Sequence, residues 1–273
     1  MKWAYPFGTP ETEAPLLGVR GEPDVVFPRL KEWGYRALEP FVRDPKRFDA
    51  ALFGKQANRY GLEIAAVGTG PVVSDDKLTF ASSDAETRAA AVKRAKDIVD
   101  FASRFGSPVI IGKLRGEIDV HQPEQSWQWM REGFDQVCEY AERNGVVIAI
   151  EPQNQMVINN VNTTQEGIAF IQSANCASLK LMLDVHHMNM EDRSLALSFL
   201  EAKAHLVHMH IADSNRQAPG KGNMNFPEII RMLKAMDYQH YCTLEIAQGA
   251  DSLTTAKEAM DYLRSIEEKV EIQ

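Results

Sequence analysis

Leu206-Val-His-Met-His-Ile-Ala-Asp-Ser-Asn-Arg216 is an apolar, strand-like run that leads directly into a cluster of His, Asp, Asn and Arg. Alternate residues of a strand share a face, so His208 and His210 point the same way, with His210 one step nearer the polar end. Three other segments repeat the design, each a buried-looking run that stops at an acid: Val146-Val-Ile-Ala-Ile-Glu151-Pro, Leu179-Lys-Leu-Met-Leu-Asp184-Val-His-His and Tyr241-Cys-Thr-Leu-Glu245-Ile. Glu151, Asp184, His210 and Glu245 are 33, 26 and 35 residues apart. Each interval is close to one strand-helix unit, which places the four around a common rim of a parallel barrel.

The rest of the chain carries the same alternation. Lys2 to Phe7 reads as a first strand, and Asp24 to Trp33 as a helix ended by Gly34. Tyr35 to Glu39 is then a strand that stops at a fifth acid before Pro40. A helix from Pro45 to Tyr60 precedes the strand Leu62 to Val67, which enters Gly68-Thr-Gly70. That glycine pair lacks the third glycine and the helix start of a dinucleotide fingerprint, and reads as a tight turn beneath a ligand. Ser83-Asp-Ala-Glu86 has the form of a capping box opening a helix from Asp84 to Phe105, and Pro108 to Gly112 is the next strand. Helices follow over Pro123 to Arg143, from Thr163-Thr-Gln-Glu166 into Asn175, over Arg193 to Lys203, from Pro227, and over Thr254 to Lys269. Eight such units with polar residues gathered after the strands predict a single (β/α)8 TIM barrel spanning residues 1–273, in preference to an open doubly wound sheet.

Composition narrows the function classes. The chain has 273 residues, 44% hydrophobic and 25% charged, which suffices for one large core. A net charge of -8 argues against a nucleic-acid or anionic-membrane surface, and there is neither a secretory h-region nor a run of apolar residues long enough to span a bilayer. Cys138, Cys176 and Cys242 are odd in number and widely spaced, as expected of reduced thiols in a cytoplasmic protein. A small soluble partner is favoured, and self-association is compatible with this composition.

Two glutamates, an aspartate and a histidine make an oxygen-rich donor set with one nitrogen. That set suits one hard or borderline divalent cation, Mn2+ first, with Mg2+ or Co2+ as alternatives, rather than a structural zinc. A single acid at a strand end is ordinarily a helix cap or a surface ion pair; four in matching places point to a metal site. His208, one pleat deeper, reads as an interior residue or a support for the site.

The motifs Glu151-Pro-x-Asn154, Asp184-x-x-His187-Met-Asn-Met-Glu191, His208-x-His210-x-Ala-Asp-Ser-Asn-Arg216, Ala218-Pro-Gly-x-Gly222 and Leu244-Glu245 resemble the xylose-isomerase-like barrel enzymes, specifically the tagatose/allulose 3-epimerase and 5-keto-L-gluconate epimerase branch. Weaker echoes are Leu38-Glu-x-x-Val-Arg-Asp-Pro45, Val67-Gly-Thr-Gly70 and Val109-Ile-Ile-Gly-x-x-Arg-Gly116. The resemblance implies a metal held by Glu151, Asp184, His210 and Glu245, with Glu151 and Glu245 as the catalytic acid/base pair and His187 and Arg216 binding substrate. Strand periodicity alone pairs His186 with Asp184; the motif selects His187. The chemistry is coherent, since a divalent ion on a ketone oxygen and its neighbouring hydroxyl acidifies the intervening C–H and stabilises an enediolate. Two carboxylates on opposite faces then invert the carbon.

The chain departs from the family pattern at Gln155 and Val157, where Arg and Glu are usual, and at Lys221 and Asn225. The missing glutamate would have supported the substrate-binding histidine; its loss favours a substrate that needs no hydrogen bond at that edge, or one with a carboxylate or similar group received by Lys113, Arg115 or Lys221, the alternative being that Glu191 supplies the contact and specificity is unchanged. The expected activity is metal-dependent epimerisation, of C3 type, of a keto sugar or keto sugar acid. Aldose-ketose isomerisation uses the same site. An endonuclease IV-like phosphoesterase is disfavoured by the net charge of -8 and only seven histidines, and a non-catalytic sugar-binding barrel draws support only from Val157.

Overall fold

In the computed structural model, which describes residues 1–174 and 176–270, the chain runs as β1 (Lys2–Gly8), α1 (Pro23–Trp33), β2 (Ala37–Phe41), α2 (Ala50–Arg59), β3 (Glu63–Ile64), β4 (Val67–Gly68), α3 (Gly70–Asp76), α4 (Ala85–Ser103) and β5 (Val109–Ile111). It continues through α5 (Pro123–Arg143), β6 (Ile148–Ile150), α6 (Thr164–Ser173), β7 (Leu179–Asp184), α7 (Val185–Glu191), α8 (Leu195–Ala202), β8 (Leu206–His210), α9 (Phe226–Ala235), β9 (Tyr241–Thr243) and α10 (Ser252–Glu267). Every ladder is parallel, and β1 pairs with both β2 and β9, so the sheet closes on itself. β3 and β4 are two pieces of one staggered strand, which gives eight strand positions: the predicted TIM barrel, of xylose-isomerase-like form. Among the described residues no helix is long and apolar enough to cross a membrane.

Side-chain alternation sorts the core into two regions. Outward-facing Val, Ile, Leu and aromatic residues pack against the helices, as in the edge-to-face contacts of Phe7 with Phe27 and of Phe27 with Phe53. Inward positions are filled by small clusters, Ala4, Ala37 and Ala65 in one and Ala66, Ile110, Ala149 and Met182 in another. Continuing the period of two from Ala37, Ala149 and Met182 gives Glu39, Glu151 and Asp184, so the acids cap an apolar plug at the C-terminal ends of the strands.

Several local expectations shift for stated reasons. α2 starts at Ala50 because the Asp49 carboxylate accepts from Leu52 N, and α4 is capped by Asp84 rather than Ser83, Asp84 accepting from Thr87 N. β2 runs through Pro40 to Phe41. The Gly68-Thr-Gly70 turn does open a helix, the short α3, with Pro71 in its first turn. The Thr163–Glu166 capping box forms as predicted, whereas the predicted helix end at Asn175 lies outside the described residues.

Candidate active site

One oxygen each of Glu151, Asp184 and Glu245 and a nitrogen of His210 lie within 4.8 Å of one another. Glu151, Asp184 and His210 are buried and Glu245 is nearly so. His210 Nδ1 faces this cluster, 3.7 Å from Glu151 Oε1, 3.9 Å from Asp184 Oδ2 and 3.2 Å from Glu245 Oε2. Its other nitrogen is held from behind by Glu39, which also takes the Nε2 of His208; His208 Nε2 lies 3.0 Å from Thr243 Oγ1 as well. Glu39 and His208 are fully buried. The expectation for His208 therefore holds, and the fifth strand-end acid, Glu39, proves to be the group that orients His210.

The electrostatics follow from burial and charge. Burial pushes the Glu151 carboxyl up to about 7, helped by the charge of Asp184. Asp184 is buried too, but Arg216, His187 and His210 outweigh that and hold it well below the usual carboxylate range. Burial would lower His210, yet the charge and hydrogen bonds of Glu39 raise it to about 9. The Arg216 guanidinium donates to both Asp184 Oδ2 and Glu245 Oε2. It does so from a left-handed backbone, φ 63°, a conformation costly for a side-chain-bearing residue and retained where geometry is needed. The loop carrying it is tied down by Asp213, whose carboxylate accepts from Ser214, Gly220 and Met224 N–H.

α7 begins directly at Asp184, whose carboxylate caps it through His186 N. The helical step of three therefore brings His187 back over Asp184, and the strand period that favours His186 does not apply. Burial lowers His187 to about 3, so it is neutral. Asn154 Nδ2 donates to its Nδ1 at 2.7 Å, which leaves the proton on Nε2, 3.9 Å from Glu151 Oε1 and 4.0 Å from Asp184 Oδ2.

These residues fit a divalent cation. Glu151 Oε1 and His210 Nδ1 are buried without hydrogen-bond partners, and the guanidinium of Arg216 already supplies positive charge to two of the three carboxylates. Three carboxylates and an imidazole are the donors of a hard or borderline site. Glu151, His210, Glu245 and Arg216 line a cavity of about 650 Å³ whose wall also includes His187, Asn154 and Val157.

Residues 27–266 match a family described as "Xylose isomerase-like TIM barrel". The chain belongs to that family. A probable ketose 3-epimerase of Synechocystis sp. is 28% identical over 230 residues, 82% of this chain and 78% of the relative. An L-ribulose 3-epimerase of Methylomonas sp. is 30% identical over 222 residues, 78% and 74% of the two chains. The crystal structure of D-psicose 3-epimerase with D-tagatose from Clostridium cellulolyticum H10 superimposes with a TM-score of 0.79, covering 97% of this chain and 99% of that one at 23% identity, a likeness of fold. With such relatives this xylose-isomerase-like barrel is an isomerase-class enzyme.

Within the family frame, the structure brings together every predicted site residue: Glu151, Asp184, His210, Glu245, His187 and Arg216. It redistributes the expected charge receptors. Arg115 is fully buried and spends its guanidinium on the carbonyls of Gly112, Glu151, Asn160 and Val161 and on Asn160 Oδ1. Lys221 pairs with Glu258 at 3.3 Å, whereas Lys113 does line the cavity. Glu191 does not replace the missing glutamate: it binds Gln155 through N and Nε2, and Asn154 supports His187 instead. Two contributors escaped the sequence reading, Glu39 and Gln153. The first was visible only as one more strand-end acid, the second only as the residue between Glu151 and Asn154.

Proposed function

We propose that residues 1–273 form one catalytic domain, a metal-dependent sugar epimerase that inverts C3 of a keto sugar or keto sugar acid. The observation that carries this reading is the convergence of Glu151, Asp184, His210 and Glu245 in one buried cluster, with His187 at its edge, in a chain whose relatives are named ketose 3-epimerases. Those four residues would hold a divalent ion, Mn2+ in this reading, and its Lewis acidity would acidify the C–H beside the substrate ketone. Glu151 and Glu245 form the acid/base pair: one carboxylate accepts the C3 proton and the other returns a proton to the opposite face, so one C–H bond breaks, one forms, and no net oxidation occurs. Neutral His187 donates from Nε2 to a substrate oxygen, and Arg216, whose guanidinium rests on Asp184 and Glu245 in the free site, would give part of that contact up to anchor substrate oxygens. The three cysteines are free thiols, in keeping with a cytoplasmic setting.

The test is incubation of Mn2+-loaded protein with a panel of keto sugars and keto sugar acids in D2O, following deuterium by NMR. Incorporation at C3 is the expected result. Incorporation at C1 or C2 makes the enzyme an aldose-ketose isomerase, and none at any carbon of any member removes the enediolate reading.

A further inference from the structure

We propose that Gln153 is a specificity-determining residue of this site, whose amide nitrogen holds Glu151 while its amide oxygen receives one hydroxyl of the bound ketose. The inference rests on the keto-sugar reading above and adds a substrate contact to it.

Gln153 leaves β6 two residues after Glu151, and its backbone N–H is fixed on Val161 O at 3.2 Å. The residue is 8% exposed and forms part of the cavity wall. The Nε2 lies 2.8 Å from Glu151 Oε2. A carboxylate offers only acceptors, so the NH2 end must face Glu151 and the oxygen end must face away. That oxygen, Gln153 Oε1, is buried and finds no donor among the described residues. Three of the buried, unpartnered polar atoms among the described residues belong to this cavity: Glu151 Oε1, His210 Nδ1 and Gln153 Oε1. The first two face the metal-ligand cluster and the third does not belong to it, so its missing partner has to come from elsewhere.

The backbone makes room for this pair. A Cβ on Gly112 would lie 2.7 Å from Glu151 Oε2 and 2.8 Å from Gln153 Nε2, closer than side chains tolerate. Glycine at 112 therefore lets the amide and the carboxylate sit side by side against β5. The cavity wall also carries apolar Phe41, Ile110 and Val157, which offer a ligand no hydrogen bond. An acceptor without a partner calls for a donor, which in a neutral ketose is a hydroxyl, and one such contact discriminates between the presence and absence of that group.

The experiment measures kcat/KM and, by calorimetry, Kd for the metal-loaded wild type, Gln153→Leu and Gln153→Met. The substrates are the favoured ketose and analogues each lacking one hydroxyl. Both variants should lose activity on every substrate because Glu151 is no longer held. They should lose on the order of five- to tenfold more on the parent ketose than on the one analogue that lacks the accepted hydroxyl. Ratios taken within one variant cancel any misfolded fraction. A penalty equal across all analogues, with wild type active, overturns the hydroxyl contact alone. If wild type neither binds nor turns over any ketose, the keto-sugar reading fails and the Gln153 assignment falls with it.

Discussion

The Nε2 of His210 lies 3.0 Å from Oε1 of Glu39 and 3.1 Å from Oε2, and Glu39 is itself clasped by His208 at 2.9 Å. A carboxylate behind a ligating imidazole fixes which nitrogen faces the metal and raises its basicity. Glu39→Gln should therefore weaken divalent-metal affinity roughly 10- to 100-fold, and His210→Ala should abolish stoichiometric binding. Chelator competition and metal analysis of the purified variants check both. A full equivalent of metal in His210→Ala would take away the basis for the site, and unchanged affinity in Glu39→Gln would reduce Glu39 to a packing residue.

Glu151 and Glu245 approach His210 Nδ1 to 3.7 and 3.2 Å, yet their surroundings differ, Glu151 being buried and Glu245 bound by Arg216. If each serves one face of the substrate carbon, Glu151→Gln and Glu245→Gln should each lower epimerisation by about 10²- to 10⁴-fold or more. Residual solvent exchange should differ between the two epimers, because each variant retains one base. Proton-exchange NMR started from each epimer separately reads this. Near wild-type epimerisation by either variant excludes that carboxylate as an acid/base.

The proposed ligand set was legible because it lies on strand ends, where periodicity of two and spacing of one strand-helix unit are written in the sequence. The supports were not, because they arise from contacts across the barrel: Glu39 meets His210 across 171 residues, and nothing local in Leu38-Glu-Pro marks that encounter. His187 was assigned by motif against the strand period, and the reason is a helix that begins at Asp184 itself, a change of period within one residue. Arg115 misled the charge argument, since an arginine in a polar loop reads as exposed until the loop folds over it.

Arg115 makes five hydrogen bonds while fully buried, and burial lowers its pKa only to about 10, so it remains charged. Replacing it with methionine fills the space but strands the carbonyls of Glu151 and Asn160 and the side-chain oxygen of Asn160, which should cost about 3 kcal/mol or more of stability. Lysine should not rescue, since a single ammonium cannot reproduce the planar fork. Denaturant midpoints at constant slope provide the measurement. A midpoint shift equivalent to under about 1 kcal/mol for Arg115→Met would mean the loop is held by other contacts.

Val157 places an apolar side chain in the cavity wall where the family pattern has a glutamate. The imidazole no longer needs that carboxylate, because Asn154 holds His187 Nδ1 at 2.7 Å, and Glu191 is occupied by Gln155. What is lost is a hydrogen-bond partner for a sugar hydroxyl at this edge, and a hydroxyl pressed against valine forfeits about 1 to 3 kcal/mol. Unmodified hexuloses should then be poor substrates relative to ketoses that lack a donor there or carry a carboxylate. Lys77 and Lys113, both lining the cavity, can receive such a charge, and the added acid of Val157→Glu would repel it. The substitution should raise kcat/KM for tagatose, fructose and allulose about 5- to 100-fold relative to keto sugar acids. The decisive comparison is the full substrate ranking in wild type and variant. A wild type that already prefers plain hexuloses, with the ranking untouched by Val157→Glu, would show that position 157 does not set the substrate.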